Sequence, residues 1–169
     1  MSVAVSDSSV LIHLAAIGRL NLLKYYFDEV IVSPAVWREV VVQGGTRYGV
    51  DEVISARKSG WIKMISPHDK SLVREFEHDL HSGESESIVL ALELHPDAIL
   101  IDETEARSCA HNHDLTVTGC IGILLQAKDD RKVRSIRAEL DRLKRQGNFW
   151  ISKPLYREIL AWAKEREQK

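Results

Sequence analysis

The sequence predicts an α/β fold: a three-layer α/β/α sandwich around a central parallel sheet of about five strands, with extra C-terminal helices. Three observations predict it. Short apolar runs recur along the chain, as "SVAVS", "EVIVS", "WIKMIS", "DAILID" and "LTVTG". Longer helical patterns separate them. The runs are apolar throughout rather than alternating, as in strands covered on both faces. No internal repeat or low-complexity segment interrupts this order. The chain of 169 residues therefore reads as a single domain, 1–169, with 132–169 as a C-terminal helical extension packed on it.

Each element has a local reason. "DSSVLIHLAAIG" turns helical after the first strand and stops at Gly18, and "RLNLLKYYF" is a second short helix. "SPAVWREVVV" is a helix with Ser33 as N-cap and Pro34 at its first position. "QGGTRYG" is a loop by its three glycines, and "VDEVISARKSG" and "DKSLVREFEHDL" are helices around the third strand. "HSGESESIVLALELH" is a helix entered through Ser82 and Gly83. "ETEARSCAHNHD" and "CIGILLQAKDD" follow the fourth and fifth strands as helices, and "GNFWIS" splits the tail into two more.

Composition excludes several classes. Hydrophobic residues make up 44% and charged residues 28%, as in ordinary globular domains, and the formal net charge is −2. No global basic field announces nucleic acid, so any such surface is local. No apolar run approaches a membrane span, and no leader pattern opens the chain. Cys109 and Cys120 are too few for a disulfide framework or a thiolate zinc site, and read as reduced thiols of a cytoplasmic protein.

Chemistry is expected where acids meet the carboxyl ends of strands, because parallel sheets bind ligands there. Asp7 follows the first strand and Asp102 the fourth, with Glu103 next to it. Glu39 lies about a turn and a half into the helix after the second strand. Glu84 opens its helix and shares a face with Ile88 and Ala91, whereas Glu86 falls with Leu90 and Glu93 on a wetter flank. Each acid also has a plain reading: Asp7 and Asp102 as helix caps, Glu84 as a first-turn acid, Glu39 as a solvated helix residue. Gathered together, carboxylates raise one another's pKa, and a hard dication such as Mg²⁺ or Mn²⁺ relieves the repulsion.

The ordered set "VSDSSVLIHL", "VIVSPAVWREV", "HSGESESIVLALE", "AILIDETEAR" and "VTGCIGILLQAK" resembles the PIN domain, in particular the VapC-like toxin ribonucleases. The likeness spans nearly the whole chain, and the tail "AELDRLKRQGNFWISKPLYREIL" resembles a PIN branch often paired with small antitoxins. The resemblance implies a Mg²⁺- or Mn²⁺-dependent endoribonuclease, the toxin of a toxin–antitoxin pair, acting on RNA as a homodimer. It implies metal-binding and catalytic acids at Asp7, Glu39, Glu84 and Asp102, with Glu103 as a further candidate and Ser8 in support. Cys120 stands where relatives commonly carry Thr, and Glu84 where many VapC toxins use Asp. The alternative is a non-catalytic PIN-fold module that binds RNA or protein.

Other features carry weaker signals. Arg107 is close enough in sequence to Asp102 to pair with an acid or a phosphate. Basic residues between Lys128 and Arg145 offer either an RNA contact or a solvated face. His78, His81, His95, His111 and His113 read as ordinary helix-end or surface histidines. Trp37, Trp61, Trp150 and Trp162 read as core or interface anchors.

Overall fold

The computed structural model describes residues 1–45, 47 and 49–165. Of the expected 43–49 loop, Thr46 and Tyr48 lie outside the described residues, as do residues 166–169 of the tail. The strands are β1 (Val3–Ser6), β2 (Glu29–Val32), β3 (Ile62–Met64), β4 (Ala98–Leu100) and β5 (Val117–Thr118). They form one parallel sheet in the order β3-β2-β1-β4-β5. The chain builds outward from β1 through β2 to β3, then returns to the other side of β1 for β4 and β5. The switch in strand order therefore falls between β1 and β4, where Ser6 pairs with Leu100.

Alternate residues of these strands feed two cores, as the two-residue period requires. Ala4, Val30, Val32, Ala98 and Leu100 face one side. They pack with α1 (Ser8–Ala16), α2 (Asn21–Tyr26), α4 (Val50–Lys58) and α8 (Cys120–Asp129). Val5, Ile31, Ile99 and Ile101 face the other side, against α6 (Ser82–Leu94) and α7 (Thr104–Asn112). Leu100 is fully buried, so truncating it to Ala is expected to cost about 2–5 kcal/mol. A further short helix, α5 (Lys70–Phe76), packs against α6.

The helix boundaries follow their caps. Asp7 and Ser33 accept hydrogen bonds from the amides of Val10 and Val36, opening α1 and α3 (Pro34–Trp37). The Glu86 carboxylate also accepts from the Ala35 amide at 2.9 Å. This flank of α6 is not wet: Leu90 is fully buried, because α6 is covered by the sheet on one side and by α3 and α5 on others. The helix after β2 differs from expectation as well. It passes from α into a wide π turn over Arg38–Val42, which places Glu39 in that turn. Such turns insert an extra residue and are frequent at functional sites.

The tail forms α9 (Ile136–Gln146) and α10 (Lys153–Trp162). Ile136, Leu140, Leu143, Ile151, Ile159 and Leu160 bury into the same core as α1 and α8. Arg19, after α1, holds buried Glu139 of α9 through two hydrogen bonds at 2.6 and 3.1 Å. The four tryptophans divide between the two expected places: Trp37 and Trp61 pack on the core, whereas Trp150 is 83% exposed and Trp162 59% exposed, at the surface where an interface would lie.

Candidate active site

β1 and β4 are parallel neighbours, so the residues that follow them leave the sheet side by side. The Asp7 amide donates to the Leu100 carbonyl at 3.0 Å, extending the pairing past the strand end. Asp7 is buried, with Oδ1 accepting from the Val10 amide at 3.0 Å and Oδ2 from the Ser9 hydroxyl at 2.7 Å. It is therefore the cap of α1, whatever else it does. Burial pushes its pKa up to about 8, with the charges of Asp102 and Glu84 adding to the rise.

Glu39 reaches from the π turn to the start of α6. Its Oε1 accepts from the Gly83 amide at 3.1 Å, and its Oε2 accepts from the Ser8 hydroxyl. The helix N-terminus favours a negative charge at this point. Gly83 lets the Glu39 carboxylate come this close, since a Cβ there would lie 2.5 Å from Glu39 Oε2 and push it away. Glu84 is buried beside it and accepts from the His81 amide at 3.0 Å, closing half of a capping box. Its pKa is raised by burial, and further by Glu103 and Glu39.

Asp7, Glu39 and Glu84 line one cavity of about 710 Å³. Exposed Glu103 lines it too, with Asp79 and Glu105, which no local pattern in the sequence singles out. No Lys or Arg lines it among the described residues. Asp102 does not line this cavity, and stands next to Asp7 with both oxygens engaged. Its Oδ1 accepts from the Cys120 amide at 2.8 Å, at the start of α8. Its Oδ2 lies 2.9 Å from His13 Nδ1.

A family model described as a PIN domain matches residues 3–165. The chain belongs to the PIN domain family. A search of curated proteins found no match. PIN domains are generally nucleases, so the acid-lined end of the sheet is the place to look for chemistry in this member.

In this PIN domain carboxylates are the donor type that hard dications take, but the only group of His, Cys, Asp and Glu ligand atoms that converges within 4.8 Å among the described residues lies elsewhere, at His13, Asp102 and Cys120. The cavity offers carboxylate oxygens, and each oxygen that accepts one hydrogen bond keeps a second lone pair. The converging group is chemically different, and its members already satisfy each other. His13 meets Asp102, and the Cys120 thiol lies 3.7 Å from the Val10 carbonyl. The thiol pKa is pushed up by burial and by Asp102, which keeps it a protonated donor. Cys120 thus puts a thiol beside Asp102, a weaker donor than a hydroxyl would be.

His13 escaped the sequence reading because its partner is 89 residues away and no local pattern announces the pair. Among the described residues Arg107 pairs with no acid: its guanidinium donates to the Ile101 carbonyl at 2.7 Å, bracing the turn that carries Asp102. Gly119 leaves room for both, since a Cβ there would lie 2.5 Å from Asp102 Oδ1 and 3.1 Å from Arg107 Nη1. Ser8 supports the cavity as expected, through Glu39.

Proposed function

We propose that this PIN domain is a Mg²⁺- or Mn²⁺-dependent endoribonuclease, the toxin half of a VapC-like toxin–antitoxin pair acting in the cytoplasm. The observation that carries this reading is Asp7, a buried carboxyl pushed up to about 8 in a cavity with five other acids and, among the described residues, His81 but no Lys or Arg. Such an arrangement opposes folding unless a dication or protons neutralise it. The proposed ligands are Asp7, Glu39, Glu84 and Asp102, with Glu103 able to join them at the cavity wall.

The chain's own groups hold those acids in place. Ser9 and the Val10 amide orient Asp7, Ser8 and the Gly83 amide orient Glu39, and the His81 amide orients Glu84. His13 and the Cys120 amide orient Asp102. Fixed carboxylates of this kind cost little reorganisation at the moment of reaction. When bound, the dication would lower the pKa of a coordinated water and offset charge on the scissile phosphate. Water attack on phosphorus with departure of the 3′-oxygen leaves a 5′-phosphate and a 3′-hydroxyl. The PIN family supports RNA as the substrate. A small antitoxin and a second copy of the chain are the proposed protein partners. Among the described residues no helix is long and apolar enough to cross a membrane.

The test incubates purified protein with structured RNA and Mg²⁺ or Mn²⁺. Cleavage that depends on the dication and is lost in Asp7→Asn and Asp102→Asn is the expected result. Undiminished cleavage by either variant removes the proposed site. A second reading draws on the hydrogen bonds. Both oxygens of Asp7, of Glu39 and of Asp102 already accept or share one, as in a PIN fold kept for binding alone. Calorimetric titration with Mn²⁺ separates the two, because only the nuclease requires a saturable metal site.

A further inference from the structure

An acid-lined cavity repels RNA, so a nuclease built on it has to gain affinity for substrate elsewhere. The charge is divided along the chain in the way this requires. Residues 128–169 hold thirteen of the 23 Lys and Arg but seven of the 25 Asp and Glu. Four of these basic residues line a groove beside the loop between α9 and α10. Two adjoining hollows, of about 520 and 400 Å³, share Lys144, Ile151 and Lys153. Arg137 and Arg157 line the second, and its single acid, Asp141, accepts a hydrogen bond from the Tyr156 hydroxyl at 2.9 Å.

Trp150 stands at the edge of this groove, 83% exposed. An indole left in water forgoes a large apolar burial, and here its position is fixed by its neighbours. Phe149 packs on the core and Ile151 is buried, so the residue between them is directed outward. The Phe149 amide donates to the Leu143 carbonyl at 3.1 Å, and Ser152 caps α10. The groove also adjoins the acids. The Phe149 ring meets the His13 ring edge-on with centroids 4.8 Å apart, and His13 is bonded to Asp102.

We infer that Trp150, with Lys144 and Lys153, forms a landing platform for a single-stranded stretch of RNA flanking the cleaved bond. The indole stacks on a base, and the ammonium groups follow the phosphates. The inference rests on the nuclease reading for the identity of its ligand, yet its test needs no catalysis. Binding of a short fluorescein-labelled single-stranded RNA to the full chain is measured by anisotropy in EDTA. Trp150→Ala weakens binding about fivefold or more, as expected for one lost base stack, while Trp150→Phe retains most of the affinity. Replacing Lys144 and Lys153 together by Gln lowers the slope of log affinity against log salt by about 1.4. Wild-type affinity and salt slope in all these variants overturn the platform. So does a dimer, seen by sedimentation, that Trp150→Ala splits without changing RNA affinity, since the surface then serves a protein partner. RNA binding through Trp150 without any Mn²⁺-dependent cleavage sinks the nuclease reading alone. Cleavage with RNA affinity indifferent to Trp150 sinks the platform alone.

Discussion

Two of the carboxylates that cap helices, Asp7 and Glu165, are driven in opposite directions by their surroundings. Asp7 caps α1 at the carboxyl edge of the sheet, where burial and neighbouring acids push it up to about 8. Glu165 caps α9 from the far end of the chain. It accepts from the amides of Ile136 and Arg137 and from the Ser135 hydroxyl, and pairs with Lys128 at 3.0 Å. Burial works against its charge, but those bonds outweigh it and take the pKa down to about 2. The same local role is thus served once with charge left over and once with charge neutralised. Around Asp7 the acids have no Lys or Arg to offset them among the described residues, which is where a ligand of opposite sign has something to gain.

The contrast breaks most sharply at Asp7. Asp7→Asn is expected to lower Mn²⁺-dependent RNA cleavage on the order of 10²–10³-fold, measured as initial rates on one substrate. The same change stabilises the metal-free protein at high pH. Folded Asp7 binds its proton up to about pH 8, whereas the unfolded group releases it near 3.8, so stability of the wild type falls as pH rises between them. Urea melts in EDTA at pH 5 and pH 8 show the drop in the wild type and not in the variant. A pH-independent difference between the two proteins contradicts the electrostatic account.

Gly83→Ala sharpens the comparison from the other side of the cavity. The added methyl displaces the Glu39 carboxylate from the start of α6 while leaving the helix itself sound. Mn²⁺ affinity by calorimetry is expected to fall about 10- to 100-fold, with a thermal midpoint near that of the wild type. At the opposite end, Glu165→Ala costs about 0.5–2 kcal/mol at neutral pH, as for the loss of a helix cap. That contribution is present above the ordinary Glu pKa of 4.5 and disappears as pH falls toward 2. Acid titration of the wild type and variant by circular dichroism shows the curves converging. The smallest effect is expected of Cys120→Thr, which substitutes a hydroxyl beside Asp102 and changes stability by less than about 1.5 kcal/mol in chemical denaturation.

Much of this was legible in the sequence where the cause is local. Ser33 followed by Pro34 fixes the start of α3, and the apolar strand runs mark a sheet covered on both faces. Asp7 and Glu84 could be placed because a strand end and a helix start are short-range signals. The π turn at Arg38–Val42 was not legible: "REVVV" has the same apolar pattern in either kind of turn. Nor were the contacts of His13 with Asp102 or of Glu86 with the Ala35 amide, which join residues 89 and 51 positions apart. Which of the two expected places Trp150 takes, core or surface, is likewise not a local signal. A tryptophan is an anchor by composition, and only the inward course of Phe149 and Ile151 directs it to solvent.

The strand order has a consequence for how the protein comes into being. Asp7 and Glu39 belong to the half of the chain that builds β1, β2 and β3, whereas Glu84 and Asp102 arrive with α6 and β4. A ribosome delivers the first pair long before the second, so the acid-lined edge is assembled only when the latter half has docked along the seam between β1 and β4. Severing the polypeptide between β3 and α5 would likewise leave each piece with two of the four acids, and only their reunion would regenerate the charged edge.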